Sequence, residues 1–229
     1  MFQRIYIEMD EQGNHERLSI TPPRKKGLRP VVLVTNSAQV VIRTVTLPDG
    51  YKLNAKTKWE QVLAAFPFGR TLNEGTHIFD GSVYRDTDGH AVFCMAALPL
   101  DVAEVMTQHG VALPGGIRKI TALETMETVL FRHFCTDTAG ASNKRWVIYP
   151  CGDGIKVLII HNNAPDTVRF LPLAPLYNEA ALRRTLAENP PTQVLLLTRP
   201  FWGASWRQAS DTLTQCFTSE AIEFASFHL

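Results

Sequence analysis

The chain has 229 residues, of which 45% are apolar and 20% charged, with a formal net charge of +1. That balance excludes a disordered chain, and the length suffices for one large domain or two small lobes. Basic residues gather only at Arg24, Lys25 and Lys26, a solvated turn beside Pro22 and Pro23, so charge gives no reason to propose nucleic acid as a partner. Cys94, Cys135, Cys151 and Cys216 stand far apart with no Cys-x-x-Cys pair, so metal-ligand spacing is absent. Without a signal peptide the thiols are expected reduced in a cytosol, and no window nears the roughly 18 apolar residues of a membrane helix. The segment is expected to be soluble, while a longer natural protein, cut after His228-Leu229, stays open.

The first strand is FQRIYIEM, with Ile5 and Ile7 on one face, followed by a polar turn and a short strand around Leu18 and Ile20. VVLVTNSAQVVIRTVTLP gives two β-branched runs broken by a Thr35-Asn36-Ser37 turn. NAKTKWEQVLAAF changes period: Trp59, Val62, Leu63 and Phe66 share a helical face that Pro67 ends. The strands THIFDGSVYR and HAVFCMAAL follow, joined at Asp86-Thr87-Asp88-Gly89, where the Asp-Gly pair signals a hairpin. DVAEVMTQHG is predicted as a helix opened by an acid and closed by Gly110. TALETMETVLFRHF is predicted as another, with Thr121 and Glu124 as a capping box and Leu123, Met126, Leu130 and Phe134 on one face.

The small polar stretch TDTAGASN, 136–143, is the expected hinge between a first lobe, 1–140, and a second, 141–229. Beyond it the order is strand 146–150, strand 155–161, strand 166–171, helix 177–188, strand 193–198, helix 204–217 and strand 222–227. Three meandering strands followed by helix, strand, helix, strand is the layout of a ribonuclease-H-like lobe. Two such lobes make a mixed α/β fold of the actin and sugar-kinase class.

The short motifs narrow the resemblance. VIRTVTLP at 41–48, a helix ending AAFPFGR, then a hairpin and LPLDVAEVMTQHG resemble the actin-like cytoplasmic assembly proteins of type IV pili and type II secretion, the PilM and GspL types. The resemblance spans roughly residues 31 to 200 and includes TALETMETVLF ahead of the second lobe. It implies a structural role at the inner face of the cytoplasmic membrane, connecting a membrane-anchored platform protein to the assembly ATPase. PilM-type relatives grip a cytoplasmic tail of a membrane protein, whereas GspL-type relatives carry their own membrane helix after this domain. Length favours the second layout and Phe66-Pro67-Phe68 the first. A homodimer is compatible with either.

In ATP-using members of the class, the second lobe opens with Asp-x-Gly-x-Gly-x-Thr. The glycines admit phosphate to the backbone, the Asp holds the magnesium water shell, and the Thr hydroxyl donates to phosphate. Here Gly152 and Gly154 fall on the glycines, Pro150 on the Asp and Lys156 on the Thr, while Asp153 is displaced by three positions. Proline supplies neither carboxylate nor N–H, and a lysine ammonium does not arrange in-line water attack. The matching loop of the first lobe, YIEMDEQGNHE, puts Glu8 and Asp10 where a triphosphate would be repelled. Gly152, Asp153, Gly154 and Lys156 thus form a degenerate phosphate loop, and no catalytic residue, metal or cofactor is expected. The alternative is an ATPase or kinase of the same fold, using Asp153 and Lys156 in an altered site.

Other chemistry finds little support. Cys151 and His161 end adjacent strands, but nothing orients the histidine as a base. Gly203-Ala204-Ser205 starts like a nucleophile elbow and fails at Arg207. His77, His90, His109 and His133 share no helical spacing. Trp202 and Trp206, four apart, read as buried packing, with a partner-facing aromatic patch as the other reading, and Phe66-Pro67-Phe68 poses the same choice.

Overall fold

The computed structural model describes residues 5–9, 14–18, 31–50, 62, 64, 72–73, 75–111, 120–135, 144–152, 154–172, 188, 190–198, 202, 206, 209–211, 213–214 and 223–228. The branched runs become strands of three sheets. In the first sheet, β1 (Ile5–Met9) pairs antiparallel with β2 (His15–Leu18) and parallel with β3 (Val31–Thr35). Although the turn after Thr35 is tight, β4 (Val41–Thr46) leaves for a second sheet. There it pairs with β6 (Ala91–Pro99), which pairs with β5 (His77–Arg85) in the Asp-Gly hairpin.

Helix α1 follows at Leu100–Val111, one residue beyond the predicted Gly110 stop, and Asp101 Oδ1 accepts from the Val102 amide in its first turn. The next segment corrects the sequence reading. Ile120–Thr125 is not the start of a helix but strand β7, parallel to β3, and α2 covers only Met126–Phe134. Its N-cap is therefore Thr125, whose hydroxyl accepts from Thr128 N at 3.3 Å, and not Thr121. Pairing with β3 satisfies the backbone of 120–125 through a non-local partner, and tertiary context overrides the local capping pattern.

The third sheet has the order β10-β9-β8-β11-β12. β8 (Arg145–Cys151), β9 (Gly154–His161) and β10 (Ala164–Pro172) form the antiparallel meander. β11 (Gln193–Thr198) and β12 (Glu223–His228) add parallel strands. This is the expected second-lobe order. Residues 206, 209–211 and 213–214 are helical, within the predicted 204–217 helix, and Glu188 is helical at the end of 177–188. Val62 and Ala64 are likewise helical, whereas Trp59, Leu63, Phe66 and the 136–143 hinge lie outside the described residues.

Strand alternation sorts the third sheet into two apolar faces. Trp146, Ile148, Val157, Ile159, Val194 and Leu196 meet Trp206 and Leu213 on one side. Val147, Tyr149, Leu158, Ile160, Leu195 and Leu197 turn to the other, joining Met9, Val32 and Val34 of the first sheet and Leu130, Phe131 and Phe134 of α2. A single apolar cluster therefore spans the first and third sheets. Each fully buried side chain of this kind contributes about 1.5–3 kcal/mol relative to exposure.

Candidate functional site

Open α/β sheets bind ligands in the crevice beyond the carboxyl ends of their parallel strands. Here that crevice lies where β1, β3 and β7 end and the β8–β9 hairpin turns back towards them. Glu8 sits near the end of β1, Asn36 and Ser37 follow β3, and Glu127 occupies the first turn of α2, where the helix dipole favours an acid. The hairpin brings Tyr149 and Lys156 side by side as cross-strand partners.

Lys156 lies in phase with Leu158 and Ile160, on the apolar face, and is 1% exposed. A lysine so placed needs a carboxylate and hydrogen-bond acceptors to replace water. It has both: its ammonium pairs with Glu127 Oε1, itself fully buried, and donates to Ser37 O at 2.7 Å. Burial, then the charge of Glu127, holds the Tyr149 phenol well above its ordinary range. Glu127 Oε2 and the Tyr149 phenol oxygen are both buried beside the ion pair.

A second set of contacts lies beside the first. Asn36 Nδ2 donates to Pro150 O at 2.9 Å and to Glu8 Oε1 at 3.0 Å, and Trp202 Nε1 donates to the same Glu8 oxygen at 3.1 Å. Cys151 Sγ lies 3.7 Å from Asn36 O. The indole of Trp202 stands 6.5 Å from Tyr149 and edge-on to Trp206 at 6.1 Å. Trp206 donates to Leu197 O at 3.0 Å and is buried, the packing role expected of it, whereas Trp202 is only half-buried.

The two glycines do different work. Gly152 takes φ +57°, a left-handed conformation suited to a tight hairpin, with only Ala38 Cβ approaching its missing Cβ, at 3.9 Å. At Gly154 a Cβ would lie 2.6 Å from both Leu171 O and Phe170 Cζ. The close approach that this glycine permits is made by β10 of the same chain. Asp153 lies outside the described residues. Three of the four proposed loop positions are thus seen: one turns the chain, one admits β10 and one forms a buried ion pair.

The remaining candidates separate. Cys151 pairs with Gly154 at the hairpin tip, while His161 lies beyond the Arg145–Ile160 pair at the far end of the same two strands. Asp86, Asp88 and His90 place one ligand atom each within 4.8 Å of one another, a grouping that the search among histidines alone missed. Asp86 Oδ1 accepts the amides of Asp88 and His90, and Oδ2 meets His90 Nδ1 at 3.1 Å, which is turn-closing geometry. Desolvation acts upwards, but the hydrogen bonds and charge of His90, with the amide of Asp88, together hold the Asp86 carboxyl below its ordinary range. Glu127, Asn36 and Ser37 were missed by sequence reasoning. The available signal was Lys156 itself, a cation on the apolar face of GIKVLIIH.

The three sheets and their strand orders make a mixed α/β fold, and solved structures show it to be actin-like. A Bacteroides thetaiotaomicron protein with an actin-like ATPase fold and unknown function matches 98% of this chain and 90% of its own, at 8% identity and TM-score 0.55. A chain of the PilM–PilN type IV pilus biogenesis complex matches 86% of this chain and 69% of its own, at 14% identity and TM-score 0.53. The cytoplasmic domain of EpsL, an inner-membrane component of the Vibrio cholerae type II secretion system, overlaps 86% of this chain and 82% of its own. Its identity is 12% and its TM-score 0.47, too low to carry an argument. No protein-family model matches the chain, and no curated protein matches its sequence. At such identities the likeness to the first two establishes the fold alone.

Proposed function

We propose that the chain is a non-catalytic cytoplasmic scaffold of a type IV pilus or type II secretion assembly platform, linking inner-membrane partners to the assembly motor. The observation that carries the non-catalytic part is the filled crevice: Lys156, in the position of the phosphate-binding threonine, is buried against Glu127 and Ser37. The motifs at 41–48 and 66–68 and the likeness to a chain of the PilM–PilN complex support the platform. In this reading residues 1–140 and 141–229 are the two lobes, no cofactor is assigned, and the protein works peripherally at the inner membrane.

The partner's cytoplasmic segment is assigned to the groove between β5 and β7, lined by Ile78, Asp80, Ala96, Leu98, Leu123 and Thr128. Both strands are sheet edges among the described residues, and Ile78 is 46% exposed, so a peptide there finds open backbone groups and apolar contact. The rival is an ATPase or kinase using Asp153 and Lys156 in an altered site.

A two-arm titration separates them. The full chain is mixed with the cytoplasmic segment of a PilN-type protein from the same genome, and separately with Mg-ATP. Binding of the segment, weakened at least tenfold by Ile78→Asp, with no response to nucleotide, is the expected result. Absence of segment binding overturns the platform reading, and a nucleotide response supports the rival.

A further inference from the structure

We infer that the turn at 35–38 is a strap that locks the first and third sheets in one fixed arrangement, with Lys156 as its pin. The inference rests on the contacts alone and holds whichever partner the protein serves. Four contacts of the turn cross from the first sheet to the third. Ser37 O receives Lys156 Nζ, Asn36 Nδ2 reaches Pro150 O, Asn36 O receives Cys151 Sγ, and Ala38 Cβ lies against Gly152. The pair Lys156–Glu127 ties β9 to the start of α2, and Glu8 ties β1 to Trp202.

Lys156 and Glu127 are 1% and 0% exposed, so each supplies most of what water would otherwise give the other. Parting the sheets would strip both at once, together with the four crossing contacts of the turn. Opening is therefore all-or-none. In the phosphate-loop members of this fold class a triphosphate and its magnesium bring charge between the lobes; here the chain's own ammonium sits there and cannot dissociate. The strap makes the lobes a rigid body, fit to hold two neighbours at a constant separation.

The test combines Lys156→Met, Glu127→Leu and the double variant with amide exchange on the full chain. Lys156→Met is expected to lower Tm and to raise exchange together, at least tenfold, in 36–40 and in 149–156. Exchange at 194–197, on β11 beside β8, should stay within twofold. The double variant removes both charges and is expected to recover most of the lost protection. If Lys156→Met does not fold, Asn36→Ala serves, because it cuts the turn from Pro150 without stranding Lys156. It should raise exchange in the same two segments. Additive Tm effects of the two single variants, or exchange rising in one segment without the other, would overturn the strap.

Discussion

Gly154→Ala distinguishes a glycine kept open for phosphate from one filled by its own chain. The new methyl would stand 2.6 Å from Leu171 O, 2.6 Å from Phe170 Cζ and 2.7 Å from Phe170 Cε2. Leu171 belongs to the β9–β10 ladder and cannot retreat without loosening that pairing, whereas Phe170 is 38% exposed and its ring can swing outwards. Overpacking of this kind costs about 1–3 kcal/mol. For a chain of this size that is a Tm loss of roughly 2–12 °C. Phe170→Ala alone should cost less than the roughly 3–5 kcal/mol of a fully buried phenylalanine, given its exposure. Combined with Gly154→Ala it removes the ring half of the clash, so the two changes should couple favourably by about 0.5 kcal/mol or more. Gly152→Ala gives the contrast, because it pays left-handed strain of about 1–2 kcal/mol and should show no coupling to Phe170. The assay is chemical unfolding of the three single variants and of the two double mutants that pair Phe170→Ala with each glycine change. A neutral Gly154→Ala, or zero coupling to Phe170, would show that the space above Gly154 is free for a ligand.

The cap predicts its own test: Thr125→Ala should cost about 0.5–2 kcal/mol in urea unfolding, because its hydroxyl accepts from Thr128 N at 3.3 Å. The same change at Thr121, inside β7, should leave α2 intact, and a larger effect there would restore the longer helix. Stability should also fall in alkali. Burial pushes Cys135 up to about 12 and raises Cys94, Tyr84 and Tyr149 further above their ordinary values. The unfolded chain releases these protons near 9.0 for thiols and 10.0 for phenols, while the folded chain retains them. Their contribution is complete below pH 9.0 and is lost as pH rises towards the folded values. Stability unchanged between pH 8 and 11 would contradict the burial of these four groups.

What could be read from sequence was local. The β5–β6 hairpin announced itself through Asp88-Gly89, and the meander of the third sheet through alternation between short turns. The misreading at 120–125 has the opposite cause, since Thr121 and Glu124 imitate a capping box and only β3, some 90 positions earlier, makes the segment a strand. The site shows the same limit. Pro150 and Lys156 gave the expectation of a damaged phosphate loop, but nothing near Lys156 in sequence names its partners. Glu127 is 29 positions away and Ser37 is 119. Glu8 looked like an acid facing phosphate, and in the fold it accepts from Asn36 and Trp202.

A thermal-shift titration with Mg-ATP tests most directly whether the crevice holds anything but its own side chains. A nucleotide at a hundred times its Kd would stabilise the fold by about 2.7 kcal/mol, a Tm rise of roughly 5–11 °C at this size. With Lys156 held between Glu127 and Ser37, Tm is predicted to stay unchanged up to millimolar Mg-ATP. A saturable rise of that size, abolished by Lys156→Met, would mean that the lysine leaves its pair to meet phosphate.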